Sequence, residues 1–176
     1  MTQILIGITG GIASYKTASL VSELVQNGNQ VDVVMTQAAL QFIGTATFTA
    51  LTGTPVATNS FDVAFPLGAH IELARKSDLL CVAPATANFL AKAANGIADD
   101  LLSTLYLCFT GPILMAPAMN NEMWEKSAVQ RNVDQLRSDG VNFIEPQEGW
   151  LSCRTKGIGR MAEPTTIREA IDSYFQ

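Results

Sequence analysis

The sequence predicts one α/β domain, a doubly wound parallel sheet covered by helices on both faces. Three observations lead to that class. Near-continuous apolar, β-branched runs alternate with helix-periodic segments, as when strands are buried on both sides. The 176 residues suit a single domain and contain no internal repeat, low-complexity tract or second-domain boundary. Apolar residues make up 48% and charged residues 15%, enough for a large core, with some apolar surface left over for other copies to cover.

The elements follow in order. Residues 3–8 (QILIGI) read as a first strand, and 14–27 as a helix with Ala18, Val21, Leu24 and Val25 on one face. Residues 30–35 (QVDVVM) are a second strand, and 36–44 and 46–53 two short helices. A third strand is expected at 78–83 (DLLCVA), helices at 86–95 and 98–109, and a fourth strand at 112–116 (PILMA). Residues 127–138 are helical, 141–144 (VNFI) form a fifth strand, and 165–175 close the chain as a helix capped by Thr165 or Thr166. The least regular segments are 52–69 and 147–164.

Open α/β sheets bind ligands outside the carboxyl ends of their strands. Strand one runs into Thr9-Gly10-Gly11, and strand two ends at Met35-Thr36. Strands three and four end in nearly the same phrase, Ala83-Pro84-Ala85-Thr86-Ala87-Asn88 and Ala116-Pro117-Ala118-Met119-Asn120. Proline stops the ladder, small residues let a ligand approach the backbone, and an amide follows. Asn88 and Asn120 read either as helix caps or as ligand contacts. The turn GITGGIAS opens a helix directly after a strand, where backbone N–H groups bind phosphate. It lacks the GxGxxG spacing, and strand two lacks a terminal acid to hold a ribose, so a mononucleotide such as FMN fits better than a dinucleotide.

The net charge of −5, with no basic stripe outside 149–164, argues against a nucleic-acid partner. The longest apolar runs are about eight residues, against the roughly 20 that a membrane span needs. The first residues carry no basic n-region or cleavage signal, so a cytoplasmic protein is expected. Three widely spaced cysteines without CxxC argue against a disulfide framework or a metal site. Cys81 and Cys108 read as small core residues. Cys153 alone sits in a polar, glycine-rich run (GWLSCRTKGIGRMAEP) with Arg154, Lys156 and Arg160 nearby, which favour a thiolate. Gly157 and Gly159 permit hinge motion there, so 147–164 reads as a flexible substrate-binding flap. His70, the one histidine, is either a proton acceptor or a helix-opening surface residue. Met119, Met123 and Trp124 read as packing.

Six segments in order carry a family resemblance: TGGIASYK (9–16), HIELAR (70–75), PATANFLAK (84–92), GIADDLL (96–102), PAMNNEMW (117–124) and SCRTKGIGRMAEP (152–164). With them the chain resembles the homo-oligomeric flavin-containing cysteine decarboxylases over nearly its whole length. The resemblance implies a flavodoxin-like or Rossmann-like sheet, assembly into trimers or a dodecamer of trimers, and FMN at a subunit boundary. It implies flavin contacts at Gly10, Gly11, Ile12, Ser14, Thr36, Thr86, Ala87, Asn88, Phe89 and Ala118. It implies catalytic roles for His70, Asn120 and Cys153, and substrate contacts at Arg75, Asn120, Ser152, Arg160 and Met161. No metal is implied. The chain departs from the family pattern at Thr86, which keeps a hydroxyl where serine is common, and at Phe89, which removes one where threonine is common. It also departs at Asp100 for asparagine and Arg154 for glycine. No synthetase domain follows residue 176, so the bifunctional form of the family is not expected.

Within the family the flap points to the branch that decarboxylates phosphopantothenoylcysteine in coenzyme A synthesis. An α-amido carboxylate resists losing CO2 because the carbanion has no electron sink. Oxidising the adjacent CH2–SH to a thioaldehyde supplies one, and a flavin can take that hydride where no side chain can. The enethiol left by decarboxylation then needs the hydride back and a proton. The rival readings are a peptidyl-cysteine decarboxylase of peptide-antibiotic maturation, which stops at the enethiol and needs no flap cysteine, a flavin-prenylating relative, and a non-catalytic FMN-binding regulatory subunit.

Overall fold

A computed structural model describes residues 2–175. In chain order its elements are β1 (Gln3–Ile8), α1 (Ser14–Gln26), β2 (Gln30–Met35), a 3-10 turn (Ala39–Gln41), α2 (Thr45–Thr52), α3 (Ala69–Lys76), β3 (Leu79–Ala85) and α4 (Ala87–Ala94). They continue with α5 (Leu101–Cys108), β4 (Ile113–Pro117), α6 (Asn121–Trp124), α7 (Ser127–Ser138), β5 (Asn142–Phe143), β6 (Gln147–Trp150), β7 (Lys156–Arg160) and α8 (Pro164–Asp172). Five parallel strands lie in the order β2-β1-β3-β4-β5, the flavodoxin-like arrangement. The chain winds outward from β1 to β2, then returns to the other side of β1 at β3. That reversal opens a crevice between the carboxyl ends of β1 and β3.

Alternation along β1 splits the core into two layers. Ile4, Ile6 and Ile8 face α1, α2 and α8, packing with Leu20, Leu24, Phe48 and Ile167. Leu5 faces the other layer, with Leu80, Val82, Leu102, Leu105 and Val133. At Gly7 a Cβ would stand 2.6 Å from the Leu102 side chain, so α5 lies directly on the backbone of β1 there. Burial of these aliphatic side chains at about 25 cal/mol per Å² is the main force holding the layers together.

Several boundaries differ from the sequence expectation, each for a local reason. β3 and β4 run through their prolines. Proline loses an N–H but keeps a carbonyl: Pro84 O accepts from Thr9 Oγ1 at 2.7 Å, and Ala85 O accepts from the Ala118 N–H at 3.1 Å. The helix expected at 36–44 shrinks to the 3-10 turn, because this segment packs Ala38 onto Gly10, where a Cβ would lie 2.5 Å from Ala38 Cβ. The helix expected from residue 98 starts at Leu101, because Asp100 caps it: its carboxylate accepts from the Ser103 N–H at 2.8 Å, and the Ser103 hydroxyl accepts from the Asp100 N–H at 3.1 Å. α8 starts at Pro164, whose fixed φ suits a first helical position. Neither Thr165 nor Thr166 caps it; Glu163 holds the cap position and sends its side chain elsewhere. The irregular stretch 147–164 contains an antiparallel hairpin, β6–β7.

Candidate functional site

A cavity of about 870 Å³ opens at the crevice between β1 and β3. That lies within the roughly 300–1,000 Å³ usual for small-molecule and cofactor sites. Five strand ends and loops converge on it. Thr9 stitches the first two: its hydroxyl donates to Pro84 O at 2.7 Å and accepts from the Thr86 N–H at 3.1 Å. The Thr36 N–H donates to Ile8 O at 3.0 Å and brings the end of β2 alongside. The Ala118 N–H bond to Ala85 adds the end of β4, and the Met119 N–H donates to Gly159 O at 2.9 Å, docking the hairpin.

Of the ten predicted flavin-contact residues, nine line this cavity: Gly10, Gly11, Ile12, Thr36, Thr86, Ala87, Asn88, Phe89 and Ala118. Ser14 does not reach the wall. Its hydroxyl is buried at the first position of α1 with no hydrogen-bond partner among the described residues. The Ile12 and Ala13 amides just above it also make no backbone bond among the described residues. The Gly11 position is open, with a Cβ meeting only side chains at 3.6 Å or beyond. Unspent donors on a glycine turn at a helix start suit an anionic head group.

Asn120 also lines the cavity and is the cap of α6: its Oδ1 accepts from the Met123 N–H at 2.8 Å. Capping uses the oxygen and leaves the Nδ2 donors without a partner among the described residues, so the two readings of this residue are compatible. Asn88 is not a cap. Thr86 caps α4, accepting from the Phe89 N–H at 3.4 Å, which frees Asn88 to face the cavity. Phe89 packs edge-on against Tyr106. Ser152, Arg160 and Met161 reach the cavity from the hairpin.

His70, Arg75 and Cys153 do not line this cavity. His70 sits in the first turn of α3, its Nδ1 buried with no partner among the described residues. Arg75 is in the last turn of the same helix. One chain therefore does not bring His70 and Asn120 together. Cys153 is exposed at the hairpin tip, 3.0 Å from the Thr155 hydroxyl. Cys81 is buried as expected, its thiol pushed up to about 12 by burial. Cys108, expected in the core, is exposed at the end of α5, where its Sγ donates to His70 O at 3.5 Å and Leu105 O at 3.3 Å. Trp124 is packing, whereas Met119 and Met123 line the cavity.

The Flavoprotein family matches the chain from residue 1 to residue 176. The chain belongs to the Flavoprotein family. It is 46% identical over 173 residues to the coenzyme A biosynthesis bifunctional protein CoaBC of Bacillus subtilis (strain 168), covering 98% of this chain and 43% of that protein. The chain thus spans less than half the length of the curated relatives it matches. Among solved structures it is similar to the FMN-dependent cysteine decarboxylase SpaF, with a TM-score of 0.87 and 36% identity over 100% of this chain and 98% of that one. It is equally similar in shape to a cysteine-to-serine mutant of PPC decarboxylase complexed with pantothenoylaminoethenethiol, with a TM-score of 0.87 and 29% identity over 99% and 98%.

This Flavoprotein chain also carries cavity residues that the sequence reading passed over. Lys16 lies inside the TGGIASYK segment and Trp150 inside the flap, so both were within motifs already marked. Tyr15 likewise lies in TGGIASYK, Lys92 in PATANFLAK and Asp100 in GIADDLL, whereas Phe42 falls outside all six segments. Lys92 pairs with Asp99 at 2.7 Å and Asp100 at 2.8 Å. Burial pushes the Asp100 carboxyl up, but the Lys92 ammonium and the Ser103 hydrogen bonds outweigh it and hold it below the usual carboxylate range. Burial likewise pushes Lys92 down, and its bonds to Asp100 and Asp99 hold it above its ordinary value. No helix among the described residues is long and apolar enough to cross a membrane.

Proposed function

We propose that the chain binds FMN and decarboxylates phosphopantothenoylcysteine to phosphopantetheine. One observation carries the reading: a single cavity at the β1/β3 crevice joins an anion-ready glycine turn to Asn120 and to the hairpin residues Ser152, Arg160 and Met161. The likeness to CoaBC and to PPC decarboxylase supports the choice of substrate. Gly10, Gly11, Ile12, Thr36, Thr86, Ala87, Asn88, Phe89 and Ala118 would hold the cofactor. Bound FMN would supply what no side chain can, a two-electron acceptor that takes a hydride from the substrate's sulfur-bearing carbon and later returns it.

The chain's own residues do the rest. Asn120 donates its Nδ2 hydrogens to the substrate carboxylate and orients it without neutralising it, whereas a cation there would hold the carboxylate back. His70 takes the proton released on oxidation at the sulfur-bearing carbon. Because His70 lies outside its own chain's cavity, a second copy must bring it, which fits a homo-oligomer with shared sites. The 147–164 segment acts as the flap. Cys153 at its tip delivers a proton to the enethiol, so the full cycle consumes one proton and releases one CO2. Arg75 and Arg160 meet acidic groups of the substrate.

The test is to purify the protein, record its flavin absorbance, and supply phosphopantothenoylcysteine while following CO2 and product mass. The reading expects a yellow protein that releases CO2 and forms the saturated thiol. Failure to take up FMN, or absence of CO2, overturns it. Release of an unsaturated enethiol instead would favour the cysteine decarboxylase chemistry of peptide substrates.

A further inference from the structure

Lys16 is the one lysine or arginine buried among the described residues, and it lines the cavity. A buried ammonium persists only where its hydrogen bonds and charge are met. Its Nζ donates to the Met161 carbonyl at 3.2 Å and to Glu163 Oε1 at 3.0 Å. The same Glu163 oxygen accepts from the Arg160 guanidinium. Helix α1, at the chain's beginning, is thereby tied to the exit of the flap, 147 residues on.

The trio's charges sum to one positive, so one charge on this wall is left to meet an anion. Arg160 lines the cavity, and its stem lies over Gly149, where a Cβ would stand 3.0 Å from the Arg160 Cδ. With the stem on a glycine and one guanidinium edge on Glu163, Arg160 has its other N–H donors to offer. Glu163 can serve in this way because Pro164, not a side-chain cap, starts α8.

We propose that Lys16 and Glu163 are positioning residues: together they form a latch that aims Arg160 at an anionic group of the substrate and holds the β6–β7 hairpin over the cavity. The proposal rests on the decarboxylase reading above. It is tested with FMN-loaded wild type, Lys16→Met, Glu163→Gln and the double variant. Four readouts are taken: flavin absorbance, thermal midpoint, steady-state kinetics with phosphopantothenoylcysteine, and tryptic cleavage after Arg154 and Lys156. Each single variant is expected to raise KM about tenfold with kcat within about twofold, the signature of lost binding rather than lost chemistry. Cleavage at the hairpin quickens by a similar factor while flavin content holds. The double variant is no worse than the poorer single one, because both break one unit.

Unchanged KM and cleavage in both single variants overturn the latch. So does loss of flavin, which would assign Lys16 to the cofactor, or a fall in kcat with KM unchanged. If both defects simply track a lowered thermal midpoint, the pair is structural and the proposal is wrong. If wild type takes up FMN but releases no CO2, the decarboxylase reading fails, and the cleavage comparison still decides whether the latch exists.

Discussion

Gly159 leaves no room for a side chain against Met119: a Cβ there would stand 2.2 Å from the Met119 carbonyl oxygen. The Met119 N–H donates to the Gly159 carbonyl at 2.9 Å, and Gly159 has φ 151°, a conformation that favours glycine. The hairpin therefore docks beside Asn120 only because this residue lacks a Cβ. Gly159→Ala is expected to undock it at a cost above about 1 kcal/mol. The sheet does not depend on this contact. Far-UV circular dichroism should stay unchanged while tryptic cleavage at Lys156 speeds up. Cleavage at the wild-type rate would show that the contact does not hold the hairpin.

Arg154 is the one non-glycine among the described residues with a left-handed backbone, at φ 67°. It closes the tip turn, its N–H donating to Leu151 O at 2.9 Å. A non-glycine residue held there costs about 1 kcal/mol or more. Arg154→Gly relieves that strain, in part offset by the freedom glycine gains when unfolded. The expected result is a hairpin at least as resistant to chymotrypsin at the exposed Trp150 as in wild type, with a weaker hold on an acidic substrate because a cation is gone.

Cys153 is exposed at that tip, so removing its thiol leaves the cavity wall intact. Cys153→Ser is expected to release CO2 at a rate near wild type and to accumulate the enethiol, detected by product mass. Serine is too weak an acid to replace the thiol in the last protonation. Formation of the saturated product by this variant at the wild-type rate would remove Cys153 from the mechanism.

His70 and Asn120 sit on the same chain but not in the same cavity. If sites are shared between copies, His70→Asn and Asn120→Ala will each abolish decarboxylation while retaining flavin. Co-expressing the two variants then restores part of the activity, because some sites combine an intact His70 with an intact Asn120. A mixed assembly as inactive as its parents would mean that each chain completes its own site.

The sheet was legible because its signal is local. β1 and β2 match their apolar runs residue for residue, and the glycine turn and both Ala-Pro-Ala phrases fall where strand ends meet. What failed to show depends on tertiary contact. The 36–44 segment has helical composition, but packing of Ala38 on Gly10 reduces it to a single turn. The β6–β7 hairpin has short, polar strands, and its docking through Gly159 onto Met119 is a tertiary contact that no local pattern announces. Cys108 looks apolar in sequence yet ends α5 on the surface. Lys16 gave no sign that its partner lay 147 positions away, since an ion pair between distant segments leaves no periodic trace.

Asp100 supplies the pH test. Burial raises its carboxyl, while Lys92 and Ser103 outweigh that and set the folded value below the unfolded one. A carboxyl depressed by folding contributes stability above its unfolded pKa, about 3.9, and loses that contribution as pH falls through the folded value. Asp100→Asn keeps an equally good cap, for asparagine ranks with aspartate at that position. Lys92 keeps Asp99 at 2.7 Å as its remaining partner. The variant should therefore fold with a small loss at neutral pH, and its stability should fall less steeply than wild type between about pH 5 and pH 3. Urea denaturation across that range measures the difference. Parallel acid limbs in the two proteins would mean that Lys92 and Ser103 do not hold the Asp100 carboxylate as the geometry requires.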